Sequence, residues 1–399
     1  MKDLDLRSRG HVLGFALMTM AILAIGCPQP VDIPATLDDP IPELQALIDS
    51  VVADDGAIHG AALAVIRPST GLRWEGAAGV ADPATGIPMT PANPVRIASN
   101  TKTYVAAAIL RLVEDGQLRL DSPISDHLPA DHIATLDADG YDTGAISVRH
   151  LLTHTSGLFD HSETGAYTDA IIADPQHRWT PMEQVAMAVE TGEPHAPPGA
   201  IYTYCDTGYV LLGLILEEVT GQPLAAAVRA LVDYEALGLE ATWWEILEPR
   251  PEGAADRAHQ FLGELDVTGF YPAFDLYGGG GIAATMGDLA TFFDGIFRGE
   301  VYHDPETIKT MLTTIDGIRA RPDATERALP PGAYRMGVWV LETGGYTTYH
   351  HTGFWGTMAV HVPELDLTFA ATINQNRSGP GFERILHETI GIVEENDEL

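Results

Sequence analysis

The amino-acid sequence predicts an α+β fold in which an antiparallel sheet, built from both chain ends and flanked by helices, carries an inserted mostly helical domain. Three observations lead to this prediction. Strand-like apolar segments occur near the two ends of the chain, helical periodicity dominates the middle, and no internal repeat is visible. With 399 residues and 45% apolar side chains, the chain is long enough to bury one large core or two smaller ones.

The first 26 residues have the layout of a bacterial secretory signal of the lipoprotein type. Arg7 and Arg9 precede an apolar run over residues 12–25, and Cys27 follows as the residue that would carry the lipid. The run is too short for a good membrane span. Ala24 stands where such signals usually have leucine, so an ordinary signal peptide and an uncleaved anchor remain open. We expect an exported, lipid-anchored protein of the cell envelope that faces the periplasm or the exterior and meets the membrane only through this anchor.

The chain changes from tether to globule near residue 41. Residues 27–40 are rich in proline and acid and lack an apolar period, which predicts a stiff extended tether. The stretch "IPELQALIDSVV" then has helical spacing, while "AALAVI" and "LRWEGAAGVA" predict two strands joined by the turn "RPSTG". Residues 1–26 are therefore assigned to the signal, 27–40 to the tether and 41–399 to the globular domain.

The globular domain continues with a helical middle and a strand-rich end. Helical periodicity occurs in "SNTKTYVAAAILRLVED", "SVRHLLTH", "PMEQVAMAVE", "YVLLGLILEEVTG" and "TMGDLATFFDGIF". Strands return after about Tyr334 with "MGVWVLE", "YTTYHH", "TMAVHV" and "LTFAATI", and a last helix covers about residues 383–394. Residues 41–98 and 334–399 are thus predicted to form the α/β part, and residues 99–333 the mostly helical part.

The charge and the cysteines limit the partners and the cross-links. A net charge of -34 repels nucleic acid and anionic lipid headgroups, so we expect no nucleic-acid partner and interpret the acidic residues as a solvated surface. The chain has two cysteines, Cys27 and Cys205. If Cys27 carries lipid, Cys205 has no partner, and the exported domain is expected to fold without an internal disulfide.

Ser99 and Lys102 form an S-x-x-K pair in a chain that has three lysines and nineteen arginines. On a helix, residues three apart share a face, so the hydroxyl and the amine are expected to lie in contact. A serine hydroxyl is a weak nucleophile until a neighbouring base takes its proton. Lysine can serve as that base because it can lose its proton, whereas arginine cannot. The pair therefore indicates a nucleophile with its base, although the motif alone is weak.

Three further motifs follow in order and make the pattern specific: "SVRHLLTHTSGL", "PGAIYTYCDTGYVLLGLILEEVTG" and "YHHTGFWGT". Together with the S-x-x-K pair they resemble the serine β-lactamase and penicillin-binding superfamily. The similarity is to the branch that holds class C β-lactamases, D-alanyl-D-alanine carboxypeptidases, D-aminopeptidases and related esterases. It runs from roughly Ile41 to Ile392 and implies a β-lactamase/transpeptidase-like fold, with residues 41–399 as the catalytic domain.

The resemblance implies a role for each matched residue. Ser99 corresponds to the acylated nucleophile, Lys102 to the adjacent base, and Tyr204 to the tyrosine of the Y-x-N motif, which moves protons between serine, lysine and leaving group. The backbone N–H groups of Ser99 and Phe354 would form the oxyanion hole. The K-T-G motif of the family takes the form H-T-G here, and it would supply three substrate-binding residues: His351, Thr352 and Gly353.

Asp206 departs from the family pattern, because it stands where the Y-x-N motif usually has asparagine. An ionised carboxylate can only accept hydrogen bonds, so an amide donor to the substrate is lost. A carboxylate near Lys102 would also favour the ammonium and shift the role of proton acceptor to Tyr204. Between Tyr334 and His351 the only cation is Arg335, so no strong site for a substrate carboxylate is evident. Both points argue against penicillin-like substrates.

Other candidate residues are interpreted as structural. His150 and His154 in "HLLTH" have the i, i+4 spacing of a zinc helix, but no glutamate follows the first histidine, so no metal is expected. The glycine run "YGGGGIAATMGDL" lacks the Gly-Lys-Ser/Thr end of a phosphate loop. Thr285 and Asp288 are expected to begin a helix, close to a capping box. Cys205 is expected to be a small residue of the site wall.

The sequence and the resemblance together lead to one expected function and two alternatives. We expect an exported serine acyl-hydrolase that cleaves an amide or ester of a small molecule or peptide through a Ser99 acyl-enzyme, without a cofactor. An esterase or D-amino-acid peptidase is favoured over an efficient β-lactamase. One alternative is a catalytically silent relative that binds cell-wall peptide, because Asp206 would lock Lys102 in a salt bridge. The other is a zinc hydrolase that uses His150 and His154.

Overall fold

The computed structural model describes residues 42–315, 317–320, 333–376 and 380–396. The predicted signal, the predicted lipidation site at Cys27 and the predicted tether lie outside these residues. Within the described chain there are twelve α-helices: α1 Pro42–Asp54, α2 Thr101–Glu114, α3 Ala130–Ala138, α4 Val148–Leu152, α5 Gly165–Ala173, α6 Pro181–Thr191, α7 Asp206–Thr220, α8 Leu224–Val232, α9 Tyr234–Leu237, α10 Met286–Arg298, α11 Glu306–Met311 and α12 Pro380–Glu395.

The same residues contain fourteen strand segments, eight of which are only two or three residues long, and six of these eight lie in the helical middle. The strands are β1 Gly60–Arg67, β2 Leu72–Asp82, β3 Ile87–Pro88, β4 Val95–Arg96, β5 Ile201–Tyr202, β6 Trp243–Trp244, β7 Phe261–Leu262, β8 Leu265–Asp266, β9 Ile282–Ala284, β10 Arg319–Ala320, β11 Trp339–Thr343, β12 Tyr346–Gly353, β13 Thr357–Val362 and β14 Leu367–Thr372.

A seven-stranded antiparallel sheet joins the two chain ends. Its strand order is β11-β12-β13-β14-β1-β2-β3, so the C-terminal strands continue directly into the N-terminal hairpin. The joint is the pairing of β1 with β14, in which Ala62 lies opposite Thr372. The prediction of an α+β fold with a sheet assembled from both termini is confirmed.

Both faces of this sheet are buried, which explains the unbroken apolar run in β1. Ala62, Ala64 and Ile66 belong to the larger core, on the side of the helical middle of the chain. The alternate residues Leu63 and Val65 belong to a second core, which α1 and α12 cover. A strand buried on both faces has no polar side to alternate with, so it is apolar throughout.

Helix α10 packs against β1, β13 and β14, although its sequence lies within the segment predicted as the mostly helical part. Its N-cap is Thr285, whose hydroxyl accepts a hydrogen bond from the Asp288 N–H at 3.1 Å, as expected from the sequence. The sheet therefore has helices on both faces, with α10 on the face opposite α1 and α12.

Helix α2 is the centre of the helical region. Every residue from Thr101 to Leu112 is buried, and the helix packs against α7 and α8. This packing places Lys102 in the interior of the protein. Within the described ranges, no single helix is long and apolar enough to cross a membrane. Only α7 and α8 taken together reach that length, and they are bent by 79°.

Candidate active site

Three segments from distant parts of the chain meet at one cavity. A 3₁₀ turn at Ala98–Asn100 carries Ser99 into α2, the segment between β5 and α7 carries Tyr204, and the end of β12 carries the H-T-G motif. Ser99, Tyr204, Asp206 and Phe354 all line this cavity. The structure thus brings together residues that the sequence places more than two hundred positions apart.

The turn that carries Ser99 is strained and firmly anchored. Ala98 has φ 46°, in the left-handed region that non-glycine residues rarely adopt. The Asn100 side chain donates hydrogen bonds to the Ile97 carbonyl at 3.0 Å and to the Thr357 hydroxyl at 2.9 Å. These bonds tie the turn to β13, so the sheet sets the position of the Ser99 hydroxyl.

Gly353 allows β12 to lie directly against this turn. A Cβ atom at Gly353 would lie 2.3 Å from the Ile97 carbonyl oxygen and 2.2 Å from the Thr357 hydroxyl oxygen, so any side chain would push the strand away. The Ser99 N–H lies in the first turn of a helix, where intrahelical acceptors are missing. Phe354 follows Gly353 and lines the same cavity as Ser99. Both residues whose N–H groups are expected to form the oxyanion hole therefore lie at the same cavity.

Lys102 is fully buried and surrounded by acceptors. Its Nζ atom lies 3.0 Å from the Ser99 Oγ, 2.7 Å from the Gly279 carbonyl oxygen and 2.6 Å from the Asp206 Oδ1. An ammonium group has three N–H donors, and three acceptors match them. The geometry therefore fits a lysine cation that donates to Ser99 in the resting site.

Asp206 is the first residue of α7 and the ionic partner of Lys102. Burial is the largest single effect and raises the pKa of Asp206, but the Lys102 charge, the nearby His161 and a hydrogen bond from Lys102 together outweigh it and lower the pKa, so the carboxylate is ionised. Its Oδ2 atom lies 3.2 Å from the Ser162 hydroxyl. Asp206, which replaces the asparagine usual in the family, thus contacts Lys102 directly. The Asp206 side chain is 28% exposed.

Tyr204 lies beside Ser99 and over the lysine charge. The Lys102 Nζ is 5.1 Å from the centre of the Tyr204 ring. Burial and then the Asp206 charge raise the pKa of Tyr204 well above its usual value, although the Ser99 hydroxyl, a hydrogen-bond partner, opposes this effect. The resting phenol is therefore neutral, and it must lose its own proton before its oxygen can accept one from Ser99.

His351 supplies no positive charge to the site. It is buried, and burial lowers the pKa of His351 to about 3, so the ring is neutral near pH 7. Its Nδ1–H donates to the Thr352 carbonyl at 2.9 Å, and its Nε2 accepts from the Tyr334 hydroxyl at 3.1 Å. The Thr352 residue lies exposed at the cavity. The H-T-G strand therefore offers polar groups but no cation.

The two other histidines of interest have separate structural partners. The His150 ring accepts a hydrogen bond from the Ser147 N–H at 3.1 Å and completes the capping box of α4. The His154 ring accepts from the Cys205 N–H at 3.1 Å. In the described part of the chain, no group of three or more His, Cys, Asp or Glu side chains could hold a metal ion. The zinc alternative thus has no set of ligands among these residues.

Cys205 is a buried free thiol between Tyr204 and Asp206. Burial raises the pKa of Cys205 well above its usual value, so little thiolate forms at neutral pH. Its Sγ atom lies 3.7 Å from the Phe159 carbonyl oxygen. These contacts place it in the packed wall of the site, where a thiol is a poor nucleophile.

The cavity has a volume of about 440 Å³ and combines apolar walls with carboxyl groups. Asp160 and Asp275 join Asp206 in its lining, and burial raises the pKa of each of the first two to about 7. No lysine or arginine lines it among the residues that the structure describes. Its apolar lining residues are Ile171, Ile172, Val210, Leu262, Val267, Phe270, Phe274, Leu276, Trp339, Phe354 and Trp355.

Sequence reasoning did not identify Asp160 or Asp275 as site residues. Asp160 follows "THTSGLF" in the chain and Asp275 precedes the glycine run, and neither belongs to a motif spacing that signals chemistry. The only available signal was their proximity to those two segments. Their place in the cavity follows from tertiary packing.

Comparison with known proteins agrees with the fold. The family model for Beta-lactamase matches residues 44–389. Esterase EstB of Burkholderia gladioli is 34% identical over 52% of this chain and 52% of its own length. A putative D-alanyl-D-alanine carboxypeptidase of Escherichia coli is 27% identical over 71% of this chain and 69% of its own. The chain spans about half the length of the first curated relatives it matches.

One solved structure shows the same architecture over nearly its whole length. It is a D-stereospecific amidohydrolase from Streptomyces, with a TM-score of 0.70 and 25% sequence identity. The match covers 86% of this chain and 97% of that one. The similarity in architecture therefore extends over most of this chain.

Proposed function

The chain belongs to the Beta-lactamase family, and from this premise we propose that it is a serine hydrolase that cleaves an ester or amide through an acyl-enzyme on Ser99. The observation that carries the proposal is the Ser99 hydroxyl at a cavity wall, 3.0 Å from the Nζ of the buried Lys102. A serine with an adjacent proton-transfer group is the arrangement that nucleophilic catalysis requires.

In the proposed reaction, Tyr204 first loses its own proton to water, and the Lys102 ammonium stabilises the phenolate. Ser99 then attacks the carbonyl carbon while its proton passes to the phenolate oxygen, which restores the neutral phenol. The backbone N–H groups of Ser99 and Phe354 donate to the tetrahedral oxygen. Tyr204 then returns the proton to the leaving alcohol or amine, and water releases the acyl group by the same path in reverse.

The charges around the cavity favour neutral or amine-bearing substrates. The ionised Asp206 disfavours a carboxylate near the acyl group, and Asp160 and Asp275 add to this as far as they are ionised, since like charges repel strongly where water is scarce. The apolar walls suit an aliphatic or aromatic substituent. We propose a simple ester or an amine-terminated D-amino-acid compound as the substrate class, with β-lactams hydrolysed poorly.

A fluorophosphonate probe tests the proposed nucleophile. The wild-type protein should take up one probe molecule at Ser99, as measured by mass spectrometry of the labelled peptide, and Ser99→Ala should take up none. Ser162→Ala is the matched control, because Ser162 is a second serine in the same cavity, and this variant should still be labelled. A wild-type protein that stays unlabelled at Ser99 would exclude the proposed function.

One observation favours a second candidate function, a catalytically silent relative that binds cell-wall peptide. The Asp206 carboxylate lies 2.6 Å from the Lys102 Nζ, and this ion pair holds the lysine proton. If Tyr204 cannot accept the serine proton beside that pair, the site binds ligands without turning them over. The probe distinguishes the two functions, because a silent site leaves Ser99 unlabelled.

Asp206→Asn is expected to change the preference for substrates. The amide restores a donor at nearly the same shape, so it should raise the kcat/KM for nitrocefin relative to that for p-nitrophenyl acetate by about tenfold, the worth of one good hydrogen bond. The measurement is the ratio of the two kcat/KM values in wild type and variant.

Asp275→Asn provides the matched control for this ratio. It makes the same change at another cavity carboxyl group, for which no ion pair with Lys102 is present in the described structure. Its ratio should stay near the wild-type value. Efficient nitrocefin turnover by the wild type, or equal ratios in all three proteins, would show that Asp206 does not set the substrate class.

A further inference from the structure

His154 holds the backbone on both sides of Tyr204. Its carbonyl oxygen accepts a hydrogen bond from the Thr203 N–H at 2.9 Å, and its ring Nδ1 accepts one from the Cys205 N–H at 3.1 Å. The His154 ring centre also lies 4.2 Å from the centre of the Tyr204 ring. His154 thus bonds to the residue before Tyr204 and to the residue after it, and its ring also contacts the Tyr204 ring.

The segment that carries Tyr204 has little other regular support. Residues 203–205 belong to no helix or strand, and they connect the two-residue strand β5 to the start of α7. A side chain on such a segment is placed only as well as its backbone is held. The two bonds from His154 are therefore positioned to fix the direction of the Tyr204 phenol.

The backbone conformation of His154 is unusual and makes this double contact possible. Its φ is 55°, in the left-handed region, which costs free energy for a residue other than glycine. Asparagine is among the residues that tolerate this conformation best. The strained conformation lets the carbonyl and the ring of one residue both face the segment that carries the tyrosine.

The His154 ring is held neutral and in one tautomer. Its Nδ1 accepts an N–H donor, so the proton of the neutral ring is on Nε2. The residue is 1% exposed, and burial, with a smaller effect from the Lys102 charge, lowers the pKa of His154 well below its usual value. The Nε2 atom is buried without a hydrogen-bond partner among the described residues, so a cationic ring would be poorly stabilised there.

We propose that His154 is a positioning residue, which places the Tyr204 hydroxyl for proton transfer to and from Ser99. This proposal rests on the proposed function, because it assigns His154 a part in the same reaction. A displacement of about 1 Å at a reacting group can cost about 10²-fold in rate, so loss of the two bonds should be visible in turnover. The role differs from that of a zinc ligand or a core histidine.

A series of acetate esters tests this role through the leaving group. Tyr204 matters most when the leaving alcohol needs a proton, as ethanol does, and least for p-nitrophenolate, which leaves as a stable anion. His154→Leu should therefore lower kcat/KM for ethyl acetate by about 10²-fold and for p-nitrophenyl acetate by less than about tenfold. His154→Asn keeps an acceptor near the Nδ1 position and should recover most of the loss.

A double-mutant cycle with Tyr204→Phe separates positioning from general damage. If His154 acts through the tyrosine hydroxyl, His154→Leu should cost little more in the Tyr204→Phe background. The matched control is His150→Leu, which removes a ring that also accepts a backbone N–H but caps α4 instead. This control should leave the dependence on the leaving group unchanged.

Equal losses on both esters, or additive losses in the double mutant, would overturn the proposal. A second measurement needs no activity: ¹⁵N NMR of histidine-labelled wild-type protein should show His154 as the neutral Nε2–H tautomer between pH 6 and about 8. An Nδ1–H tautomer would overturn the proposal even if His154→Leu failed to fold. If the fluorophosphonate probe leaves wild-type Ser99 unlabelled, the proposed function fails. The NMR measurement of the His154 tautomer then still tests whether the hydrogen bond from the Cys205 N–H to the His154 Nδ1 exists.

Discussion

Ser99→Ala and Lys102→Arg proteins are both expected to lose at least about 10³-fold in kcat/KM for p-nitrophenyl acetate, because the two residues act as one unit. The Ser99 Oγ and the Lys102 Nζ are 3.0 Å apart, and the lysine also contacts Asp206 and the Gly279 carbonyl. Removal of the hydroxyl eliminates the nucleophile. Arginine keeps the positive charge, but its planar group does not fit three acceptors arranged around one point.

Lys309→Arg is the matched control for the lysine substitution. Lys309 is exposed and pairs with Glu306 three residues earlier, so the same change there should leave kcat/KM and the melting temperature near their wild-type values. Circular dichroism of each variant establishes whether it is folded. A folded Lys102→Arg protein with most of the wild-type activity would show that any cation suffices at this position and that a compact ammonium among three acceptors is not required.

Most of the fold could be predicted from the sequence because its main elements have strong periodicity. The helical pattern over residues 99–115 corresponds to α2 and the preceding turn, and the segment "AALAVI" lies in β1. Short elements were missed, such as α9 and the two-residue strands. Their few residues carry no complete period, so only tertiary contacts determine them. The packing of α10 against the sheet could not be predicted either, because helical periodicity shows that a helix has an apolar face but not which element that face contacts.

The candidate catalytic residues could be predicted because they belong to motifs with a characteristic order and spacing. Ser99, Lys102 and Tyr204 meet as the resemblance implies, and the pairing of Asp206 with Lys102 was expected from its place in the Y-x-N motif. The contribution of His154 could not be predicted, because it depends on a left-handed backbone conformation and on two bonds to a segment fifty residues away.

The charge states of these groups lead to one mechanistic consequence. The Lys102 cation has its three N–H donors engaged, and the Asp206 carboxylate stabilises it, so the lysine does not begin the reaction as a free base. Tyr204, once its phenol has lost its own proton, is the remaining group that can accept the Ser99 proton. Proton transfer should therefore depend more strongly on the tyrosine hydroxyl than in a site whose lysine is neutral at rest.

Tyr204→Phe is accordingly expected to lower kcat by about 10² to 10⁴, the usual worth of a positioned proton-transfer group, while the protein stays folded. Only the hydroxyl is removed, so the ring contacts to His154 and to the Lys102 charge remain. Steady-state kinetics with p-nitrophenyl and ethyl acetate measure the loss, which should be larger for the ethyl ester because ethanol needs a proton to leave.

Tyr202→Phe makes the same change two residues earlier and provides the comparison. The Tyr202 hydroxyl is buried without a hydrogen-bond partner in the described structure, so its loss should leave kcat close to the wild-type value. Near-ultraviolet circular dichroism distinguishes a chemical defect from a folding defect in both variants. A folded Tyr204→Phe protein with wild-type kcat would remove the tyrosine from the mechanism and return the role of base to Lys102, since no other group contacting Ser99 could then accept its proton.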